Sequence, residues 1–238
     1  MLNILNSNII EYVLNNYLIY NEGNGNINQI KQLYKYNFSI KPHLKIIRHN
    51  MKENSKIIYL DSDKIKEREY YNDGNIKYIH DYIIGSTRSV KREYYKSGKI
   101  NCIENYKNNR LHGQNNYYYE NGQIESIYNY RNGLYHIVNV HFYENGQMKD
   151  RYEYLKDELN GICRHWFPDG QLEHEYNYIN NLLHGIQTRY HKNRKIKSRE
   201  QYKNGELEIK MDLNNNEKLE KLEIWKNGEK KSEWKKEN

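Results

Sequence analysis

Tyr118-Tyr119-Glu120-Asn121-Gly122-Gln123-Ile124 is the stretch whose reading decides the fold, because it recurs. Upstream stand Tyr94-Tyr95-Lys96-Ser97-Gly98-Lys99-Ile100 and Tyr70-Tyr71-Asn72-Asp73-Gly74-Asn75-Ile76. Downstream come Phe142-Tyr143-Glu144-Asn145-Gly146-Gln147-Met148 and Trp166-Phe167-Pro168-Asp169-Gly170-Gln171-Leu172. A degenerate copy, Tyr190-His191-Lys192-Asn193-Arg194-Lys195-Ile196, and a partial one, Trp225-Lys226-Asn227-Gly228, extend the series. Gly74, Gly98, Gly122, Gly146 and Gly170 are therefore 24 residues apart. Tyr82, Tyr106, Tyr130, Tyr154, Tyr178 and Tyr202 keep the same beat. A fixed period of this kind marks a repeat architecture.

Each unit reads as a β-hairpin. Asn-Gly and Asp-Gly between apolar runs are strong hairpin signals, since both residue types tolerate the positive φ of a tight turn. After the turn the residues alternate. Ile124, Ser126, Tyr128 and Tyr130 fall on one face, with Glu125, Ile127 and Asn129 on the other. In a later unit Leu172, His174, Tyr176 and Tyr178 share a face, opposite Glu173, Glu175 and Asn177. Period two is the mark of a half-buried antiparallel strand. A second turn closes each unit, as at Arg131-Asn132-Gly133 and Lys203-Asn204-Gly205. Stacked hairpins make a meander in which each repeat touches its neighbours. Strands at roughly 4.8 Å place equivalent residues about 10 Å apart and predict a sheet on the order of 60 Å long. Three departures predict bulged or looser turns: Ile137 and Ile209 where a second glycine is expected, and Arg194 in place of a turn glycine.

Composition limits the class of protein. The mean hydropathy is −1.16 over 238 residues, which raises disorder as a first suspicion. The net charge is only +7 and 26 residues are Tyr, whose rings bury area that hydropathy scales undervalue. The chain is thus expected to fold around tyrosine. No apolar run reaches the roughly 18 residues that span a bilayer. The start, Met1-Leu2-Asn3-Ile4-Leu5-Asn6, lacks the basic and apolar regions of a secretory signal. With only Cys102 and Cys163, neither a disulfide scaffold nor a four-cysteine zinc site is expected. The two thiols lie at different repeat phases and read as free. A cytoplasmic location follows.

The pattern aromatic-Tyr-x-Asn-Gly-x-Ile, then Tyr-x-Asn-Gly, then Leu-His-Gly (Leu111-His112-Gly113, Leu183-His184-Gly185) resembles a MORN repeat. It is similar to the variant found in bacterial toxin–antitoxin loci and in large AT-rich DNA viruses of amoebae, which would place the chain in a host cytoplasm. The resemblance covers residues 57–234. The expected fold is mainly β: a single-layer antiparallel meander of stacked β-hairpin repeats, with a small helical module over residues 1–50. In that module Asn8 and Glu11 form a capping-box variant, opening a helix with apolar Ile9, Ile10, Val13, Leu14, Tyr17 and Leu18. A second short helix is expected around Ile27–Tyr34 and a third over Ser39–Ile47, with Pro42 in its first turn. Leu5, Ile9, Ile10, Val13 and Leu14 make the segment similar to an F-box, although Asn6 stands where that motif carries proline. The F-box resemblance implies a substrate adaptor that docks a Skp1-like subunit. The other reading is a cap over the first exposed strand edge.

Lys31, Lys35, Lys41, Lys45, Arg48 and Lys52 are interrupted by no acidic residue. Such a patch meets phosphates or an anionic membrane, or is a solvated face. From residue 53 onward, 29 acids against 32 bases leave no electrostatic funnel for nucleic acid. The stretch 217–238, with seven Lys and six Glu, reads as a terminal strand blunted by charge. His112, His136 and His184 share one repeat position, but equivalents about 10 Å apart cannot share an ion whose ligands each lie about 2 Å from it. They read as turn residues. No nucleophile elbow, phosphate loop or zinc motif occurs, so no catalytic residue, metal or cofactor is expected. Glu104 and Asp150 interrupt the tyrosine face; each is expected to hydrogen-bond a tyrosine hydroxyl or to be a carboxylate of shifted pKa. The function expected is a non-enzymatic protein–protein scaffold, with an anionic-lipid scaffold as the alternative.

Overall fold

A computed structural model describes residues 64–83 and 85–237, together with the backbone of the strands Lys45–Asn50 and Ser55–Asp61. Leu5, Ile9, Ile10, Val13 and Leu14 lie outside the described residues, as do Lys31, Lys35, Lys41 and Lys52. The described residues form strands and turns only. The expected third helix is corrected at its end: Lys45–Asn50 is a strand, with Ile47 opposite Ile58. Paired β-branched Ile residues favour a pleated ladder over a helix there. Lys45 and Arg48 therefore sit on a strand.

The chain divides into two compact units, Met1–Leu111 and His112–Asn238. In the first, Ser55–Asp61, Lys64–Tyr70, Ile76–Ile83, Arg88–Tyr94 and Ile100–Lys107 pair antiparallel in chain order. The second unit repeats one pattern. A strand such as Gly113–Tyr118 turns into a longer one, Ile124–Arg131, which turns into a stub, Leu134–Tyr135, and then into Ile137–Phe142. Every pairing is antiparallel, and the strand after each stub pairs both with the long strand before it and with the next. The meander predicted from the period is what forms within each unit.

The two turns of a repeat differ in kind. At the Tyr-x-Asn-Gly turn, Gly122 N–H donates to Tyr119 O (2.8 Å) and Tyr119 N–H to Gln123 O (2.9 Å). Only the glycine takes positive φ, 93° at Gly122, which is a type I turn closed by a G1 bulge. Asn121 instead uses its side chain, accepting from Gln123 N–H at 2.8 Å. At the second turn both central residues are left-handed, as at Asn132 (57°) and Gly133 (88°), or Asn180 (51°) and Asn181 (65°). Those are type I′ turns, and here asparagine does supply positive φ.

Arg194 keeps its turn intact, against the expectation of loosening. It takes φ 68° in the glycine's place and still donates to His191 O at 2.9 Å. The two isoleucines diverge. Ile137 is forced to φ 69° and stands 62 % exposed. Ile209 keeps a strand conformation: Glu206–Leu213 runs unbroken, and the ladder slips between Gln201 and Tyr202 instead.

Between stub and strand the ladder loses register, from Tyr135 opposite Tyr130 to Val140 opposite Ile127. Backbone groups stranded by such a bulge need other partners. Asn139, 1 % exposed, accepts from Asn129 N–H at 2.8 Å. Gln187 does the same for Asn177 N–H at 2.6 Å. Glu153 accepts from Ile162 N–H at 2.9 Å, across the site where a Cβ on Gly161 would meet its carboxylate at 2.1 Å. Among the described residues the buried positions are polar more often than apolar: besides Ile65, Tyr82, Cys102 and Cys163 they include Asn115, Ser126, Asn139 and Gln187. Both cysteines are free.

The last described strand, Glu229–Lys235, pairs with Leu219–Lys226 and is exposed at every position. Lys221 and Lys230 bridge Glu223 and Glu233 across this pair. Charge covers this strand, as its composition predicted.

Candidate functional site

Strand alternation brings the in-phase tyrosines to one face of each unit, where they are joined by residues that the period alone does not single out. In the first unit Tyr82 is buried and stacks on His80 with ring centroids 4.0 Å apart. Glu67, 4 % exposed, lies beneath them and accepts from Tyr78 Oη at 2.5 Å. Burial and the Glu67 charge push the Tyr78 and Tyr82 hydroxyls well above the usual tyrosine range. Tyr106 donates to Glu104 at 2.6 Å, the partnership expected for that carboxylate. Burial beside Glu104 pushes the Cys102 thiol up to about 12, which leaves it inert.

In the second unit Tyr135, from the stub, bridges the repeat spacing. Its ring lies 5.0 Å from Tyr130 and 5.1 Å from Tyr154, so rings about two strands apart join in one stack. Tyr128 stacks on Tyr135 at 5.6 Å and meets His141 edge-on at 5.4 Å. Tyr178 and Tyr202 are half-buried on the same face, and Tyr202 Oη donates to Glu200 at 3.2 Å.

Asp150 has the tyrosine partner expected, Tyr152, and the shifted pKa, and it gains two imidazoles besides. It is 6 % exposed and faces two imidazoles: Oδ1 lies 2.5 Å from His165 Nδ1, and Oδ2 lies 3.5 Å from His141 Nδ1. Burial alone would raise this carboxyl, but the hydrogen bonds from His141 and His165 outweigh it and hold it down at about 2. His165 Nε2 lies 3.2 Å from Glu173, and the His165 ring stacks on His174 at 4.9 Å. His174 stacks in turn on Tyr176 at 4.6 Å. Burial and the adjacent His165 push His174 below the usual histidine range. The signal was present in the sequence. His141 and His165 are 24 residues apart, and His174 follows Asp150 by 24. The Leu-His-Gly histidines carry the more visible period and obscure it. Those histidines serve turns: His112 Nδ1 and His184 Nδ1 each accept, at 3.4 Å, from the backbone of the next turn, at Asn132 and Asn204.

A second ladder ties successive first turns together. The hydroxyls of Tyr119 and Tyr143 donate to Phe142 O and Trp166 O at 2.7 Å, and Tyr71 to Tyr94 O at 2.8 Å. Asn121 and Asn145 add bonds from Nδ2 to Glu144 O (3.2 Å) and Pro168 O (2.8 Å). The second tyrosine of the doubled pair thus ties one repeat to the next.

This geometry defines a β-hairpin repeat protein whose conserved spacing is spent on turns and inter-repeat ties. Five segments, residues 65–83, 90–108, 111–132, 159–180 and 183–211, match the MORN repeat variant. Residues 65–211 are a MORN repeat array, and the chain is a MORN repeat protein. Comparison with curated proteins returns no match. Among solved structures, the crystal structure of TarM is similar over 61 % of this chain and 25 % of that chain, at 12 % identity and a TM-score of 0.31. Among the described residues no helix is long and apolar enough to cross a membrane, and no cluster of His, Cys, Asp and Glu is arranged to hold a metal ion.

Proposed function

We infer that this MORN repeat protein is a non-enzymatic interaction scaffold that presents its tyrosine- and histidine-lined sheet face to another protein. The observation that carries this reading is the continuous stack Tyr128–Tyr130–Tyr135–Tyr154, half-buried and held by ring contacts from one repeat to the next. Rigid aromatic surface with few rotamers costs little entropy to bury, which suits protein contacts. The F-box-like segment extends the reading to a substrate adaptor: Leu5, Ile9, Ile10, Val13 and Leu14 dock a Skp1-like subunit while the sheet holds the target. Purified Skp1 mixed with the full chain tests the adaptor. Binding lost in an Ile10→Asp, Leu14→Asp chain with unchanged far-UV dichroism supports it; no binding by the parent chain refutes it. The scaffold itself is tested by cross-linking and mass spectrometry in expressing cells. Cross-links from a partner that cluster on residues 113–178 support it, and cross-links confined elsewhere overturn it.

A second reading rests on Lys31, Lys35, Lys41, Lys45, Arg48 and Lys52, whose uninterrupted positive charge suits an anionic membrane surface. It predicts salt-sensitive binding to phosphatidylserine vesicles that disappears when these six are changed to Gln.

A further inference from the structure

We propose that an open cleft beside the Trp166–Gly170 turn docks an acidic segment of a partner protein, seating a carboxylate on Arg189. The proposal rests on the scaffold reading and gives it a specific contact. The cleft is lined by Phe167, Tyr176, Arg189, Tyr190, Lys192 and Lys197. It falls where the inter-repeat ladder changes. Phe167 occupies the position of Tyr119 and Tyr143 and has no hydroxyl to give to the next repeat.

Arg189 is held in a set orientation. Its Nε donates to Tyr176 Oη at 2.7 Å, and the guanidinium lies 5.7 Å over the same ring. That bond uses the inner edge of the group. Among the described residues nothing accepts from its two terminal nitrogens, which form the fork that matches a carboxylate in two parallel hydrogen bonds. Lys192 Nζ stands 5.8 Å over the Phe167 ring. Among the described residues neither Lys192 nor Lys197 is in an ion pair, unlike Arg92 with Asp81, Arg151 with Glu153 and Arg164 with Glu175. The acidic residue of the lining, Glu173, is engaged by His165. The cleft thus offers three cations, Arg189, Lys192 and Lys197, against one lining carboxylate, Glu173, around aromatic walls, with Glu200 within electrostatic reach of Arg189. An open depression of this shape receives a protruding acidic side chain with an aromatic neighbour. A membrane is disfavoured because the sheet face that carries Arg189 also carries the carboxylates of Asp150 and Glu200, so the positive charge is local and not spread.

The test uses the full chain and a fluorescein-labelled peptide of four glutamates around one tyrosine, at physiological salt. The expected result is saturable binding that weakens at least tenfold for the all-glutamine peptide and at least tenfold for Arg189→Gln. Lys203→Gln, which removes the same charge from an exposed strand end, should leave the affinity unchanged. Lys192→Gln, an exposed turn substitution that gives up only the contact over the Phe167 ring, guards against misfolding of the Arg189 variant and should weaken binding severalfold. Equal losses from Arg189→Gln and Lys203→Gln, or equal binding of the glutamine peptide, overturn the proposal. So does Arg189-dependent binding of phosphatidylserine vesicles or millimolar inorganic phosphate in preference to the peptide. If a cross-linked partner is found on residues 113–178 but its binding ignores Arg189, the cleft fails and the scaffold stands.

Discussion

Phe167 and Ile137 are single-residue departures from the repeat that have opposite energetic signs. Phe167 lies one hydroxyl short of the tie that Tyr143 makes to Trp166 O at 2.7 Å, and the equivalent acceptor is Tyr190 O. Phe167→Tyr should therefore add an inter-repeat hydrogen bond and stabilise the second unit by about 1 kcal/mol, read as a rise in the urea midpoint with unchanged slope. His191 shows that the position accepts a polar ring, since its Nε2 lies 3.4 Å from Leu213 O. Ile137 is strained in its φ of 69° and is 62 % exposed, so little burial is lost by removing its side chain. A left-handed β-branched residue costs roughly 1–2 kcal/mol. Ile137→Gly should recover about that much, while Ile209→Gly, at a residue already in strand conformation, should destabilise. Equal effects from the two substitutions would contradict the difference in backbone conformation.

At the scale of the turn, the two hairpin types protect their Asn-Gly pairs differently. An unprotected Asn-Gly deamidates when the glycine nitrogen attacks the asparagine Cγ, expels ammonia and leaves a succinimide that water opens to Asp or isoaspartate. In the G1 turns Asn121 and Asn145 hold both ends of the amide: Oδ1 accepts from Gln123 N–H (2.8 Å) and Gln147 N–H (3.0 Å), and Nδ2 donates to the next repeat. Gly122 and Gly146 also commit their N–H groups, at 2.8 Å, to Tyr119 O and Tyr143 O. In the type I′ turn Asn227 is exposed, and among the described residues its side chain makes no hydrogen bond. Peptide mapping of the full chain incubated above neutral pH should find deamidation at Asn227 well ahead of Asn121 and Asn145. In urea the three sites should converge, because the protection lies in the turn and not in the dipeptide.

Across the molecule, stability is shared between neighbouring repeats, so a buried charge cluster in one seam affects the strands on both sides. Asp150 is that cluster's anchor. Its folded pKa of about 2 lies below the ordinary carboxyl value of 3.8. A depressed carboxyl contributes stability that is full above the unfolded value and lost as pH falls toward the folded one. The shift corresponds to about 2 kcal/mol. Asp150→Asn should abolish that acid limb between about pH 4 and pH 2, and it should destabilise the chain at pH 7 by a similar amount. His174 works in a higher window. Its folded pKa is lowered from 6.5, so the unfolded chain takes up the proton first and stability declines as pH falls below that value. His174→Gln should flatten this part of the profile. Thermal melts from pH 8 to pH 2 measure both effects.

The sequence by itself determined the repeat, its length, its antiparallel hairpins, the positions of its turns and the face that holds Tyr82 through Tyr202. All of these follow from local rules: turn residues need positive φ, and side chains alternate along a strand. Tertiary structure decided the rest. Whether Ile137 is strained or Ile209 straightens depends on which ladder can slip, a property of two strands together. That Asp150 meets His141 and His165 as well as Tyr152 follows from cross-strand register, which brings residues 9 and 15 positions away to its two oxygens. The strand at Lys45–Asn50 was unreadable as a strand because its partner, Ser55–Asp61, supplies the ladder that its own composition does not announce. The Arg189 cleft, too, required residues from successive hairpins to come together, which no single period in the chain specifies.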